Sequence, residues 1–173
     1  MQNYFDLFAI KTQFSIDLAK LESSYQAQIG KFHPDKFSTK SAKEKSAALQ
    51  NSALINEAYA TLKSALPRAT YLLKLQGINA FDEKNTQMNA DFLIQQIEFQ
   101  EQLEQIESAK NEPELYDFIE LISGKIQQNI KQIQLLFSNN SNNGLDEITN
   151  LVRELKFYQQ LNAHAKQFAD EWL

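Results

Sequence analysis

The apolar residues of this chain recur mostly at intervals of three and four, the spacing that lines one face of an α-helix. The first such series comprises Leu18, Leu21, Tyr25, Ile29 and Phe32. Asp17 precedes this series and is a favoured residue for capping the start of a helix. Pro34 follows it and restricts the preceding residue to extended geometry, which ends a helix. We therefore predict a helix over residues 18–32 that buries the apolar series.

A second helix is predicted over residues 42–64. Ser41 and Glu44 have the Ser-x-x-Glu spacing of a capping box, in which each side chain bonds to a backbone N–H of the other residue. The residues expected to point inward are Leu49, Ala53, Ile55, Asn56, Tyr59 and Leu62. Because a short loop joins the two helices, they should pair as an antiparallel hairpin. An apolar lead-in and a short helix over residues 67–76, closed by Gly77, complete a first domain of residues 1–77.

The second half of the chain predicts a separate bundle. Residues 78–90 lose helical periodicity and are interpreted as a linker, with Ile78 and Phe81 as possible anchors. Three amphipathic segments follow, over residues 91–110, 113–137 and 145–172, and short connections between such helices favour a three-helix bundle. The predicted fold class is therefore all-α, with a bundle domain of residues 91–173 behind the N-terminal hairpin. Only four glycines and three prolines occur, which is typical of a helical protein.

Composition excludes several kinds of site. The chain has no cysteine, so it has no disulfide and no metal or cluster site built on thiolates. The acids Glu98, Glu101, Glu104 and Glu107 are interpreted as a solvated helix face, because a di-metal bundle needs Glu-x-x-His on two further helices. We expect no metal and no cofactor. The N-terminus does not have the pattern of a signal peptide and no apolar run reaches membrane-spanning length, so a bacterial cytoplasmic location is expected.

The charge is distributed unevenly between the two halves. Residues 1–77 contain ten basic and six acidic residues, a net charge of +4, whereas residues 78–173 contain seven basic and sixteen acidic residues, a net charge of −9. This asymmetry suggests two domains with different partners. The basic excess is small and forms no continuous run, so nucleic acid is not an expected partner.

The sharpest local motif is His33-Pro34-Asp35-Lys36, in the loop between the first two long helices. From the residues alone it is either a helix stop with solvated turn residues or a functional loop. An enzyme would use His33 and Asp35 as general base and orienting group. The chain offers them no nucleophile, glycine-rich loop or metal set, so we predict that it is not an enzyme.

The motif and its flanking helices resemble the J-domain family, whose signature is His-Pro-Asp between its second and third helices. Residues 4–8 (Tyr-Phe-Asp-Leu-Phe) resemble the opening helix of that family, and residues 55–62 resemble its third helix. With residues 68–73 (Arg-Ala-Thr-Tyr-Leu-Leu) and the acidic three-helix domain, the chain resembles the HscB family of J-domain co-chaperones over essentially its whole length. Generic J-domain proteins usually continue instead with a glycine-rich or zinc-binding region.

The resemblance implies that the loop binds an HscA- or DnaK-like chaperone and activates its ATPase. Asp35 would pair with an arginine of the chaperone in a charge-assisted contact, His33 and Pro34 would shape the loop, and Lys36 would add positive charge. Lys20 and Lys31 would supply a basic face on the helix that precedes the loop, but Gln26, Ala27 and Gln28 occupy positions of that helix that are often basic in the family. We therefore expect weak, salt-sensitive binding.

For the second domain the resemblance implies binding of the iron–sulfur cluster scaffold protein IscU, which aids the maturation of iron–sulfur proteins. The implied contact residues are Leu93, Ile94, Ile97, Glu98, Glu101, Lys156 and Phe157. Leu93, Ile97 and Glu101 share a helix face by their spacing of four. The aliphatic residues of this set belong either to the bundle core or to a partner surface. The helix has more apolar residues than one buried face needs, which favours the partner surface. A generic J-domain co-chaperone with another client and an oligomerisation role for the bundle remain alternatives.

Overall fold

The computed structural model describes residues 3–82, 89–139 and 144–172, and within these ranges all regular secondary structure is helical. The predicted all-α class is confirmed. The chain divides into two compact units, Met1–Leu75 and Gln76–Leu173.

The first unit contains α1 (Tyr4–Leu7), α2 (Leu18–Ile29), α3 (Ala42–Lys63) and α4 (Ala65–Leu75). Two short 3-10 turns, Gly30–Phe32 and Pro34–Phe37, connect α2 to α3. The helices α2 and α3 pair antiparallel, since Tyr25 bonds to Asn56 while the earlier Glu22 accepts from the later Tyr59. The predicted hairpin is confirmed, although α2 ends three residues earlier than predicted and tightens at Gly30.

Local sequence signals set the helix starts. Asp17 Oδ1 accepts hydrogen bonds from the backbone N–H groups of Ala19 and Lys20, at 3.0 and 3.1 Å. Both halves of the Ser41–Glu44 capping box are formed. These side chains satisfy backbone donors that have no partner inside the helix. The predictions for both caps are confirmed.

Three apolar residues that were predicted to be buried in the hairpin, Leu18, Leu49 and Ala53, are exposed, as is Asn56. Ala53 precedes the buried Ile55 by two residues, which places it about 200° around the helix. Leu49 lies one residue beyond the buried Ala48, which turns its side chain about 100° away from the core. Leu18 is the first residue of α2, one turn before the buried Leu21, where the helix is not covered. Periodicity therefore placed Leu49 and Ala53 on the wrong face of α3, and in α2 it did not show where the packed part of the helix begins.

The second unit contains α5 (Ala90–Ala109), α6 (Glu112–Ser138) and α7 (Leu145–Trp172), and α6 and α7 make its most extensive helix pair. Asn89 and Asn111 cap the starts of α5 and α6. Its principal apolar cluster consists of Phe92, Phe99, Leu103, Ile106, Leu115, Phe118, Ile122, Tyr158, Leu161, Ala165 and Phe168. The three predicted helices are confirmed. No helix in the described ranges is long and apolar enough to cross a membrane.

Residues 83–88 of the predicted linker, like residues 140–143 of the predicted turn before α7, lie outside the described residues. The residues just before the first gap pack on α7. Ala80 is fully buried, and its carbonyl accepts a hydrogen bond from Arg153 Nε at 2.6 Å. Lys156 Nζ lies 4.4 Å from the centre of the Phe81 ring.

Candidate functional site

The motif His33-Pro34-Asp35-Lys36 forms a tight turn that is stabilised by its own groups. Pro34 opens the 3-10 turn, and Lys36 N donates to the carbonyl of His33 at 3.0 Å. His33 Nδ1 accepts from the backbone N–H of Asp35 at 3.3 Å and so caps the turn. An accepting Nδ1 carries no proton, so this arrangement requires an imidazole with Nδ1 unprotonated.

The carboxylate of Asp35 faces the solvent. The side chain of Asp35 is 91% exposed, and its Oδ2 lies 3.5 Å from His33 Nδ1. The backbone carbonyl of Asp35 accepts a hydrogen bond from Ser38 Oγ at 3.0 Å, which fixes the main chain behind the carboxylate. A cation of a partner can therefore reach this oxygen pair without unfolding the turn.

Lys36 and Lys31 make bonds within the loop region. Lys36 Nζ donates to the carbonyl of Gly30 at 2.6 Å, across the turn. Lys31 Nζ donates to Gln28 Oε1 at 3.2 Å. Lys20 lies near the other end of α2, about 16 Å from Lys31 at 1.5 Å per helical residue. The structure thus groups Lys31 with the motif but not Lys20.

An aromatic contact that the sequence does not predict packs α2 against α3. The rings of Tyr25 and Tyr59 stack at 4.1 Å. Hydrogen bonds from Gln26 and from Tyr59 lower the pKa of the Glu22 carboxyl, and the bond to Glu22 raises the pKa of Tyr59. Lys63 Nζ lies 5.4 Å from the centre of the Tyr59 ring. Both tyrosines were assigned to inward faces, but their pairing depends on the register of the hairpin.

The second candidate surface lies on α5 and is here called the α5 stripe, comprising Leu93, Ile94, Ile97, Glu98 and Glu101. Its three aliphatic side chains are 44%, 55% and 56% exposed in that order, and both acids are exposed. The bundle core takes other α5 residues, namely Phe92, Phe99, Leu103 and Ile106. The stripe is therefore an apolar surface edged by carboxylates, and its aliphatic residues are not bundle core.

The two implied residues on α7 have different surroundings. Phe157 is half-buried and packs edge-on against Phe92 of α5, with ring centres 5.7 Å apart. Lys156 is exposed, and its ammonium lies over the ring of Phe81. Phe157 therefore packs against α5, whereas Lys156 contacts the ring of Phe81 in the segment that precedes α5.

The part of the chain that the structure describes contains no cluster of metal ligands. No group of three or more histidines or carboxylates there is suitable for holding a metal ion. His164, the second histidine, is exposed on α7 and packs against Phe168, with ring centres 4.6 Å apart.

Comparisons with known proteins agree on one family. A family model described as the HSCB C-terminal oligomerisation domain matches residues 88–166. A curated protein named co-chaperone protein HscB homolog, from Aliivibrio fischeri, is 35% identical over 172 residues, which is 99% of each chain. The structure of the chaperone HscB from Vibrio cholerae is 34% identical, with a TM-score of 0.86, and the match covers 99% of this chain and 100% of that one. Human co-chaperone protein HscB is 28% identical, with a TM-score of 0.87, over 96% of this chain and 82% of that one.

Proposed function

This chain belongs to the HscB family of co-chaperones, and we propose that it activates the ATPase of an HscA- or DnaK-like chaperone in the bacterial cytoplasm and delivers the scaffold protein IscU to it. The delivery aids the maturation of iron–sulfur proteins. In this proposal the first unit, a J-domain, contacts the chaperone, and the α5 stripe of the second unit contacts the scaffold.

The exposed carboxylate of Asp35 is the observation that carries the proposal. A carboxylate that faces solvent on a turn stabilised by His33 and Ser38 is preorganised for a bidentate contact with an arginine. Little conformational entropy is then lost when the two proteins meet. The docked loop acts by favouring the hydrolysis-competent arrangement of the chaperone, and this chain contributes no group to the hydrolysis itself.

The α5 stripe supports the client half of the proposal. Leu93, Ile94 and Ile97 are neighbours on the surface of α5 and are exposed. Together they form an apolar patch of a kind that a folded monomer normally avoids. Glu98 and Glu101 at its edge favour a partner with an aliphatic patch bordered by basic residues. An apolar centre with a charged rim is the usual anatomy of a specific protein interface.

The chaperone half is tested by measuring ATP hydrolysis by the chaperone with and without this protein. Asp35→Asn should abolish the stimulation while the helical circular dichroism stays unchanged, because the amide removes the charge and keeps the shape. Asp6→Asn, which changes an exposed carboxylate on α1, is the matched control and should stimulate normally. Full stimulation by Asp35→Asn would overturn this half.

The client half is tested by calorimetric titration with IscU. Ile97→Ala should weaken binding at least tenfold, because it removes an exposed aliphatic residue from the centre of the stripe. The control is Leu121→Ala, a comparable change on α6, where Leu121 is 45% exposed. If IscU does not bind while ATPase stimulation is intact, the protein is instead a J-domain co-chaperone with a different client.

A further inference from the structure

A groove of about 350 Å³ lies between α5 and α7, beside the α5 stripe. Phe157 and Phe168 of α7 contribute aromatic surface, and His164 packs on Phe168. Glu104 and Glu107 contribute carboxylates from α5. Here it is called the acidic groove. No lysine or arginine occurs among the described residues that line it.

The acidic groove is continuous with the proposed scaffold-binding surface. Glu104 follows Glu101 of the stripe by three residues, so the two carboxylates lie on adjacent turns of the same face. Phe157, which packs against α5, also lines the groove. A partner lying along the stripe toward the C-terminal end of α5 therefore enters the groove.

We propose that the acidic groove binds a lysine or arginine side chain of the scaffold protein, adjoining the part of the scaffold that covers the stripe. The inference rests on the proposed function of the second unit. The aliphatic stem of such a residue packs on Phe157 and Phe168 while its charge meets the carboxylates of Glu104 and Glu107. An aromatic face also attracts a cation directly.

The charge of the groove favours this occupant over an apolar one. Glu104 and Glu107 are three residues apart on one helix, and the described residues that line the groove include these two carboxylates and no lysine or arginine. Residues 78–173 carry a net charge of −9, so the long-range field of this half of the chain also attracts a basic partner. A cation in the groove relieves the repulsion between the two carboxylates.

The test is the affinity of the full-length protein for IscU at low and high ionic strength. The double variant Glu104→Gln/Glu107→Gln should bind about tenfold more weakly at low salt, and the difference should shrink at high salt because ions screen the lost attraction. The matched control Asp117→Asn/Glu120→Gln removes two exposed charges with the same spacing from α6. It should leave affinity nearly unchanged.

Two results would overturn the inference. If the groove variant and the α6 control weaken binding equally, only the overall charge matters and the groove has no specific occupant. If the groove variant binds like the wild type while Ile97→Ala binds poorly, the stripe is the interface and the groove is not part of it. Absence of any binding by the wild type would instead remove the proposed function, and the groove assignment with it.

Discussion

The ammonium of Lys36 donates a hydrogen bond to the backbone carbonyl of Gly30 at 2.6 Å. This carbonyl lies just after the last residue of α2, in the region where helix carbonyls lack partners and carry partial negative charge. The bond joins the residue after Asp35 to the end of the preceding helix. It therefore holds the turn closed while the carboxylate of Asp35 stays exposed.

Lys36 is predicted to act mainly by positioning the turn. Lys36→Met should reduce ATPase stimulation by up to about tenfold, since one hydrogen bond contributes about 0.5–1.5 kcal/mol, and the loss should persist at high salt. Lys36→Arg should restore most of the activity because it can still donate to Gly30. The control is Lys40→Met, whose effect should disappear at high salt. A Lys36→Met defect that salt removes equally would show that the residue acts only as a steering charge.

Ile97 and Ile122 are predicted to differ sharply in their effects on stability. Ile122 is fully buried, so Ile122→Ala should lower the free energy of unfolding by about 2–5 kcal/mol. Ile97 is more than half exposed, so Ile97→Ala should cost less than about 0.5 kcal/mol. Urea denaturation of both variants measures the difference. A large loss of stability in Ile97→Ala would mean that its effect on scaffold binding reflects the bundle core.

Arg68 is predicted to stabilise the junction between α3 and α4. It is buried, its Nη1 donates to the carbonyl of Leu62 at 2.6 Å, and its guanidinium lies 4.9 Å from the centre of the Phe14 ring. Burial lowers the pKa of this guanidinium. Arg68→Lys should lower the free energy of unfolding by about 1–3 kcal/mol, because the shorter, more strongly hydrated ammonium replaces the planar donor group. Thermal unfolding at equal helix content provides the measurement, and an unchanged melting temperature would contradict the role.

Glu154 is predicted to reduce stability at neutral pH. Burial raises the pKa of its carboxyl, an effect that the hydrogen bond from Asn129 and the charge of Lys125 only partly offset. Folding therefore favours the protonated form, so stability falls as the pH rises above the ordinary glutamate pKa and the loss is complete above the raised pKa. Glu154→Gln should raise the melting temperature at pH 7 by at most about 2 °C, because the group is half-exposed.

The gain in melting temperature of Glu154→Gln should vanish below the ordinary glutamate pKa of 4.5, where the wild-type carboxyl is protonated in both the folded and the unfolded state. Melting curves of the two proteins between pH 3 and pH 8 test this sign. A gain that grows as the pH falls would contradict it. Glutamine keeps an acceptor for Asn129, so the comparison isolates the charge.

The candidate functional surfaces could be predicted from the sequence to different degrees. The motif at residues 33–36 is contiguous, so its position in a loop between two helices followed from Pro34 and the flanking periodicity. The hydrogen bond from Lys36 to Gly30 could not be predicted, because the same residues are compatible with more than one turn geometry. The acidic groove was also missed. The sequence predicts a solvated helix face for Glu104 and Glu107, and no sequence signal relates them to His164, which lies on another helix.

Features that arise within one or two helical turns could be predicted from the amino-acid sequence alone. Asp17, Ser41 and Glu44 specify helix starts because each bonds to backbone groups no more than three residues away. Which apolar residues are covered depends on the packing between helices, since Leu49 and Ile97 have helical neighbours much like those of buried residues and differ only in what packs against them. Burial is a property of the neighbouring helix and its register, and periodicity along a single helix does not contain that information.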